Sequence, residues 1–243
     1  MGALEIVSTL WTWTPFLAQG FVWNLTITAV CMTVGSLIGA ALAFARAGSG
    51  MVPQRMSNAT TEIARNLPTF VLLYYLAFML PVEVVVGGTV YPIPPWVKAC
   101  IALSIPVAAF MSDNLSTAIR DWRVGNHSAA LVLVPNWFTY LFITLMTTST
   151  TSVIGVPEIV NKCNTIIAAQ GHSDLILWMY LYAMLWFFAV SFPLSLSMNA
   201  LKRAIMRRVE RDKAAGTAPA PVAPPTPPMP VPPVAEPAVT RQA

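Results

Sequence analysis

Five uncharged, mainly apolar stretches organise this 243-residue chain. Residues 21–45 give 25 positions without a charge, and residues 66–82 give 17 before Glu83. Residues 99–112 give only 14, so a third helix must run on through Asp113 to about Ile119. Residues 124–157 are uncharged for 34 positions and residues 175–201 for 27. A helix crossing a bilayer needs about 20 mostly apolar residues. The pattern therefore predicts an all-α membrane protein with five transmembrane helices, the second just long enough if residues 62–65 form its wetted first turn. Residues 3–18 carry Leu4, Ile6, Trp11, Trp13 and Phe16 but are too polar to cross. They predict a segment, residues 1–19, lying in the outer interface.

Charge gives the stretches a direction. Arg46, Arg55 and Arg65 follow the first stretch, Arg120 and Arg123 the third. Lys202, Arg203, Arg207, Arg208, Arg211 and Lys213 follow the last. The alternate gaps hold only Lys98 and Lys162, and residues 1–20 hold no base. Lys and Arg are retained on the cytoplasmic side of membranes, so the N-terminus is expected outside and the C-terminus inside. Glu5 and the lack of an early basic region argue against a signal peptide. Trp178, Tyr180, Tyr182 and Trp186 cluster in the outer half of the last stretch, as interfacial aromatics do. From Ala214 the chain turns to Ala, Val and Pro, with ten prolines between Pro219 and Pro237. Such a segment builds no core, and residues 214–243 are expected to be a disordered cytoplasmic tail.

Composition supports a membrane protein: 56% of residues are hydrophobic and 10% charged, against roughly 25% charged in soluble domains. The net charge of +4 flanks spans rather than forming a basic-aromatic platform, so lipid is the expected neighbour and nucleic acid is not. No catalytic arrangement is visible, and neither an enzyme activity, a cofactor nor a metal is expected. His127 and His172 stand far apart without acid or Cys at ligand spacing. Gly48-Ser49-Gly50 lacks the lysine of a phosphate loop. Cys31, Cys100 and Cys163 have no CxxC spacing, with Cys163 expected in an outer loop.

Four polar or small-residue features stand out within this frame. Gly35 and Gly39 form a Gly-x-x-x-Gly packing face. Asp113 in an apolar stretch is either a functional intramembrane acid or an interfacial partner of Arg120. Thr144, Thr147, Thr148, Ser149, Thr150, Thr151 and Ser152 put seven hydroxyls into nine residues. They predict either a bent helix with hydroxyls bonded to its own backbone or one face of a polar pathway, the second being favoured. Glu62 and Arg65 stand at i, i+3, where they could pair, and Pro68 follows.

The run Glu62-Ile63-Ala64-Arg65-Asn66-Leu67-Pro68 resembles the Glu-x-x-Arg-Asn-x-Pro signature of permease subunits in bacterial ABC importers of polar amino acids, most of all the glutamate/aspartate branch. Asn24-Leu25-Thr26-Ile27-Thr28 through Gly35 and Gly39 to Arg46 resembles that family's first core helix. Ala118-Ile119, Gly125-Asn126-His127-Ser128-Ala129-Ala130 and residues 145–156 resemble further family segments. The resemblance covers residues 20–208 and implies a type I ABC importer transmembrane domain in the bacterial inner membrane. It further implies a second permease subunit, cytoplasmic ATP-binding subunits that hydrolyse ATP, and a periplasmic amino acid-binding protein. Gly125, Asn126, Ser128, Ala129 and Ala130 stand where the family has its ATPase-coupling loop. Ser128 replaces a glutamate and Asn126 a glutamine there, Met146 stands where a lysine is usual, and the chain reaches Pro135 within a few residues. A shortened loop implies reliance on a sister permease in a heterodimer. The alternative is a degenerate paralogue serving as a membrane scaffold.

Overall fold

The computed structural model describes residues 2–47 and 51–214. Helix α1 (Ala3–Ala47) is followed by α2 (Met51–Asn66) and α3 (Thr69–Met79). A hairpin comes next, β1 (Glu83–Val86) and β2 (Thr89–Pro92), and then α4 (Pro95–Arg123). The one-turn α5 (His127–Ala130) leads to α6 (Leu133–Thr147), which tightens into a 3₁₀ segment (Thr148–Ile154). Helices α7 (Ile159–Gln170) and α8 (Leu175–Ala214) complete the bundle. Among the described residues, four helical segments are long and apolar enough to cross a membrane: Leu4–Ala47, Pro95–Arg123, His127–Ile154 and Leu175–Arg211.

The second expected crossing differs. At 1.5 Å per residue the 11-residue α3 is about 16 Å long, too short to cross alone. Pro68 supplies no N–H and disfavours helix at Leu67, so α2 and α3 separate there. Beyond α3 lies the hairpin, which pairs Val84 with Tyr91 and Val85 with Val90. Gly87 and Gly88, at φ +61 and +84, make the two-residue turn whose left-handed backbone matches strand twist.

The outer segment also departs from expectation. Residues 3–18 continue α1 without a break past Pro15, and the whole helix is about 67 Å long. Ile6, Leu17 and Phe21 pack with Ile159, Cys163, Ile166, Leu175 and Met179 of α7 and α8. This cluster holds one face of the start of α1 against α7 and α8, while Leu4, Val7 and Trp11 stay exposed. Cys163 accordingly sits buried in a helix and not in a loop. The tail expected at residues 214–243 lies outside the described residues after Ala214.

Between spans, lipid is as apolar as a leucine, so helices associate through close backbone approach. The α1–α4 interface shows this. A Cβ on Gly35 would sit 2.5 Å from Val107 Cβ, and one on Gly39 would sit 2.5 Å from the Ala108 carbonyl oxygen. Many of the buried positions of α4 are small: Ala99, Ala102, Ser104, Ala108, Ala109 and Ser112.

Candidate functional site: three polar clusters in the bundle

The first cluster ties α1, α2 and α4 together. Asp113 Oδ1 accepts from Arg46 Nη1 at 2.7 Å, and Oδ2 meets Arg65 Nη1 at 3.5 Å. The side chains of Arg46 and Asp113 are 14% and 33% exposed, so this pair is screened less than a surface bridge. Arg46 Nε also donates to Ser57 Oγ, which donates to the Leu42 carbonyl. Thr61 Oγ1 donates to Ser112 Oγ at 3.2 Å. The partner of Asp113 is thus not Arg120, and Arg65 turns to Asp113 instead of Glu62. Helix packing decides this: α1 brings Arg46 and α2 brings Arg65 to a carboxylate on α4 that is distant in sequence from both. Asn66 donates to the Glu62 carbonyl, and Pro68 opens α3.

The second cluster was not anticipated. Glu158 is fully buried and caps α7: Oε1 accepts from Asn161 N at 2.9 Å and Oε2 from Val160 N at 3.0 Å. Oε2 also accepts from Asn24 Nδ2 at 3.1 Å. Asn24 Nδ2 donates to Thr148 Oγ1 at 2.9 Å, and Asn24 Oδ1 accepts from Ile159 N at 3.1 Å. One amide and one carboxylate therefore join α1, the 3₁₀ segment and the start of α7. Glu158 lies between the crossing segments, and burial pushes its pKa above the ordinary carboxylate value. Burial, and then the nearby Glu158 charge, push the Cys163 thiol up to about 12. An acid directly before the apolar run Ile159, Val160, Cys163, Ile166 and Ile167 is a helix-start signal.

The hydroxyl run forms the third cluster. Thr147, Thr148, Ser149, Thr150, Thr151 and Ser152 each donate to a carbonyl three or four residues earlier, at 2.6 to 3.0 Å. This back-bonding accompanies the tightening to 3₁₀ geometry. Thr148 and Thr151 are fully buried, so the run presents no continuous polar face. The half-buried positions are Thr147, Ser149, Thr150 and Ser152. Ser149 lines a cleft of about 600 Å³ whose other walls include Met184, Phe188, Ser191 and Phe192 of α8.

The two lysines outside the alternation of charge are both occupied. Buried Lys98 donates to the carbonyls of Ala77 and Leu80 at 3.0 and 2.8 Å, which terminates α3 at its negative end. Lys162 Nζ lies 3.9 Å from the Phe16 ring centre and 3.3 Å from Gln19 Oε1. Each is engaged within the bundle.

Gly125 follows α4 at φ +82, and Asn126 caps α5, its Oδ1 accepting from Ala129 N. Ser128 and Ala130 are buried, and the turn rests against α4 and α8. Ala129 and Ala130 line a cleft of about 390 Å³ with Asp113, Asp121 and Asn136. Among the described residues no group of three or more metal-binding side chains occurs.

No protein-family model matches the chain. It is 25% identical over 211 residues to the glutamate/aspartate import permease protein GltK of Escherichia coli O6:H1, covering 78% of this chain and 93% of that protein. It is 24% identical over 139 residues to the glutamine transport system permease protein GlnP of Escherichia coli K12, covering 57% and 62%. The fold matches a crystal structure of an amino acid ABC transporter with histidines at a TM-score of 0.67. That pair is 18% identical, with 84% of this chain and 99% of the other covered. The MetNI methionine ABC transporter, in inward facing conformations, matches at 0.54 and 16% identity over the same shares.

Proposed function

We infer, from the chain's homology to permease subunits of amino acid ABC importers, that it is the membrane-spanning subunit of an importer of polar amino acids. Glutamate and aspartate are the first candidate substrates. The observation that carries this reading is similarity running along nearly the whole length of a glutamate/aspartate permease, on a bundle of the matching fold. In this reading ATP is hydrolysed by separate cytoplasmic subunits, and a periplasmic protein delivers the amino acid. The chain crosses the inner membrane five times, N-terminus outside. Helices α2 and α3, about 40 Å together at 1.5 Å per residue, make the additional crossing with a break at Pro68. The pathway runs along the exposed side of the 3₁₀ segment, where Ser149 meets the α8 cleft. Asp113, held by Arg46 and Arg65, secures the inner end of the wall.

The shortened loop sets how this subunit couples. Helix α5 is one turn with Ser128 and Ala130 packed inward, which leaves little surface to fill a groove in an ATPase. A sister permease with a full coupling loop therefore completes a heterodimer. Liposome reconstitution with the ATPase and binding protein tests this: uptake is expected only when the sister permease is added. Coupled uptake by this permease alone would refute the heterodimer. Absence of uptake with every subunit present would favour the scaffold reading.

A further inference from the structure

Among the described residues one buried side-chain oxygen has no hydrogen-bond partner: the hydroxyl of Ser191 on α8. Ser191 is 6% exposed, and buried polar groups are nearly always paired, so an orphan calls for a physical reason. The residue lines the cleft of about 600 Å³ that α8 forms with the end of α6, the 3₁₀ segment and the start of α7. Other hydroxyls of this cleft are committed. Ser149 donates to the Met146 carbonyl, and the Tyr180 hydroxyl bonds Asn164 Oδ1. Ser191 is left as a buried donor with nothing to donate to.

The surroundings narrow what could accept that bond. No Asp, Glu, Lys or Arg lines the cleft, so a charged ligand would lose water there without gaining a counter-charge. In the uncharged run 175–201 Ser191 stands three residues past the midpoint, about 5 Å along the helix axis. The hydrocarbon core is about 30 Å thick, so a phospholipid's own carbonyls sit roughly 15 Å from its middle, out of reach of this hydroxyl. The acceptor must therefore belong to a neutral molecule that dissolves in hydrocarbon. Its shape is indicated by the walls. Phe188 and Phe192 stack at 4.9 Å, and Phe187 and the thioethers of Met146 and Met184 join them. Such side chains favour contact with a flat ring. Along α8 the cleft runs from Tyr180 to Ser195, about 22 Å, which leaves length for a tail beyond the ring.

We propose that the α8 cleft is a binding site for a membrane-soluble quinone, one ring carbonyl accepting from Ser191 Oγ and the isoprenoid tail lying along the helix. A quinone is flat and uncharged, carries its acceptors on the ring and partitions into hydrocarbon. The proposal takes from the transport reading only that α8 crosses the membrane. Binding is measured on this chain alone, so its failure leaves the transport assignment standing.

The full chain, purified in detergent, is photolabelled with an azido derivative of decylubiquinone, and labelled peptides are identified by mass spectrometry. Labelling is expected to saturate and to fall on peptides from residues 146–160 or 180–195. One neutral hydrogen bond corresponds to roughly fivefold in affinity. Unlabelled decylubiquinone should therefore compete about fivefold better than decylbenzene, which has the same tail and no acceptor. Ser191→Ala should weaken decylubiquinone by about fivefold and leave decylbenzene unchanged. Without ligand its melting temperature should not fall, because the change breaks no hydrogen bond and removes an unpaired buried oxygen. Ser197→Ala removes an exposed α8 hydroxyl bonded to the Pro193 carbonyl. As a surface change it should leave binding within about twofold. Equal competition by the two compounds would overturn the proposal, as would unaltered binding by Ser191→Ala or labelling confined to other helices. A lower melting temperature for ligand-free Ser191→Ala would show that the fold itself employs the hydroxyl, and would overturn it too.

Discussion

Replacing Glu158 by alanine should release α7 from the bundle. The structure sets the size of the effect. Two carboxylate oxygens serve three donors: the N–H groups of Val160 and Asn161 and the buried amide of Asn24. Losing a helix cap costs about 1 kcal/mol, and stranding a buried amide costs about 1–3 kcal/mol. The sum is about 3 kcal/mol, lowering a melting temperature by roughly 6–12 °C in a chain of this size. Glu158→Gln preserves the volume and one acceptor but turns an amide N–H₂ towards another donor, so about 1–2 kcal/mol is expected. The local readout is Cys163, buried on α7. With Cys31 and Cys100 replaced by serine, a water-soluble thiol reagent should label Cys163 slowly, and quickly once Glu158 is alanine. Thermal unfolding and labelling rates in detergent report the two effects separately. If Glu158→Ala shifts the melting temperature no more than replacing exposed Glu62 does, and Cys163 stays protected, the network does not hold α7.

Glu158 also predicts a pH dependence. Burial raises its pKa above the ordinary 4.5, so the folded chain binds this proton more readily than the unfolded chain. Its contribution to stability is therefore full at pH values below 4.5 and declines as pH rises through the raised value. Glu158→Gln should flatten that slope in melting-temperature profiles. Gly39→Val drives a Cβ to 2.5 Å from a backbone carbonyl that cannot turn aside. A loss of at least about 1–3 kcal/mol is expected from this overpacking, measured by thermal denaturation, and a neutral result would refute the tight α1–α4 approach. Asp113→Asn leaves Arg46 half-enclosed without its counter-charge and should destabilise by about 1–2 kcal/mol, discounted for the exposure of Asp113. Arg65→Gln, on the exposed side of the cluster, should cost clearly less in the same assay. A reporter active only in the cytoplasm should work when fused after Arg123 and fail after Lys98; activity at Lys98 would contradict five crossings.

Hydropathy and charge were legible position by position because a bilayer imposes them locally. Each residue of a crossing helix must tolerate hydrocarbon wherever its neighbours lie, and each exposed cation resists crossing whatever the fold. The long apolar helices α1, α4, α6 and α8 belong to this class. The hairpin at residues 83–92 is legible too, in Gly87-Gly88 between the β-formers Val84-Val85-Val86 and Thr89-Val90-Tyr91. Helix α7 is less legible, since its 12 residues are too few for a crossing.

Other features depend on residues that meet only after folding. Asp113 could not be assigned to Arg46 and Arg65 from spacing, because its nearest cation in sequence, Arg120, lies two turns along the same helix. Only the packing of both α1 and α2 against α4 brings the other two arginines within reach. Asn24, Thr148 and Glu158 span 134 positions and become one network because α1 packs against both the 3₁₀ segment and α7. The hydroxyl run shows the division within a single segment. Its composition announces a local departure from α-helix, since Ser and Thr side chains compete for their own backbone carbonyls. Which hydroxyls turn inward and which face the α8 cleft is set by the helices packed around them. Sequence alone determined which stretches are apolar enough to meet lipid and which carry charge, because each residue meets its solvent singly. Tertiary structure decided which polar groups meet one another, because a buried charge or amide is stable only beside partners the fold supplies.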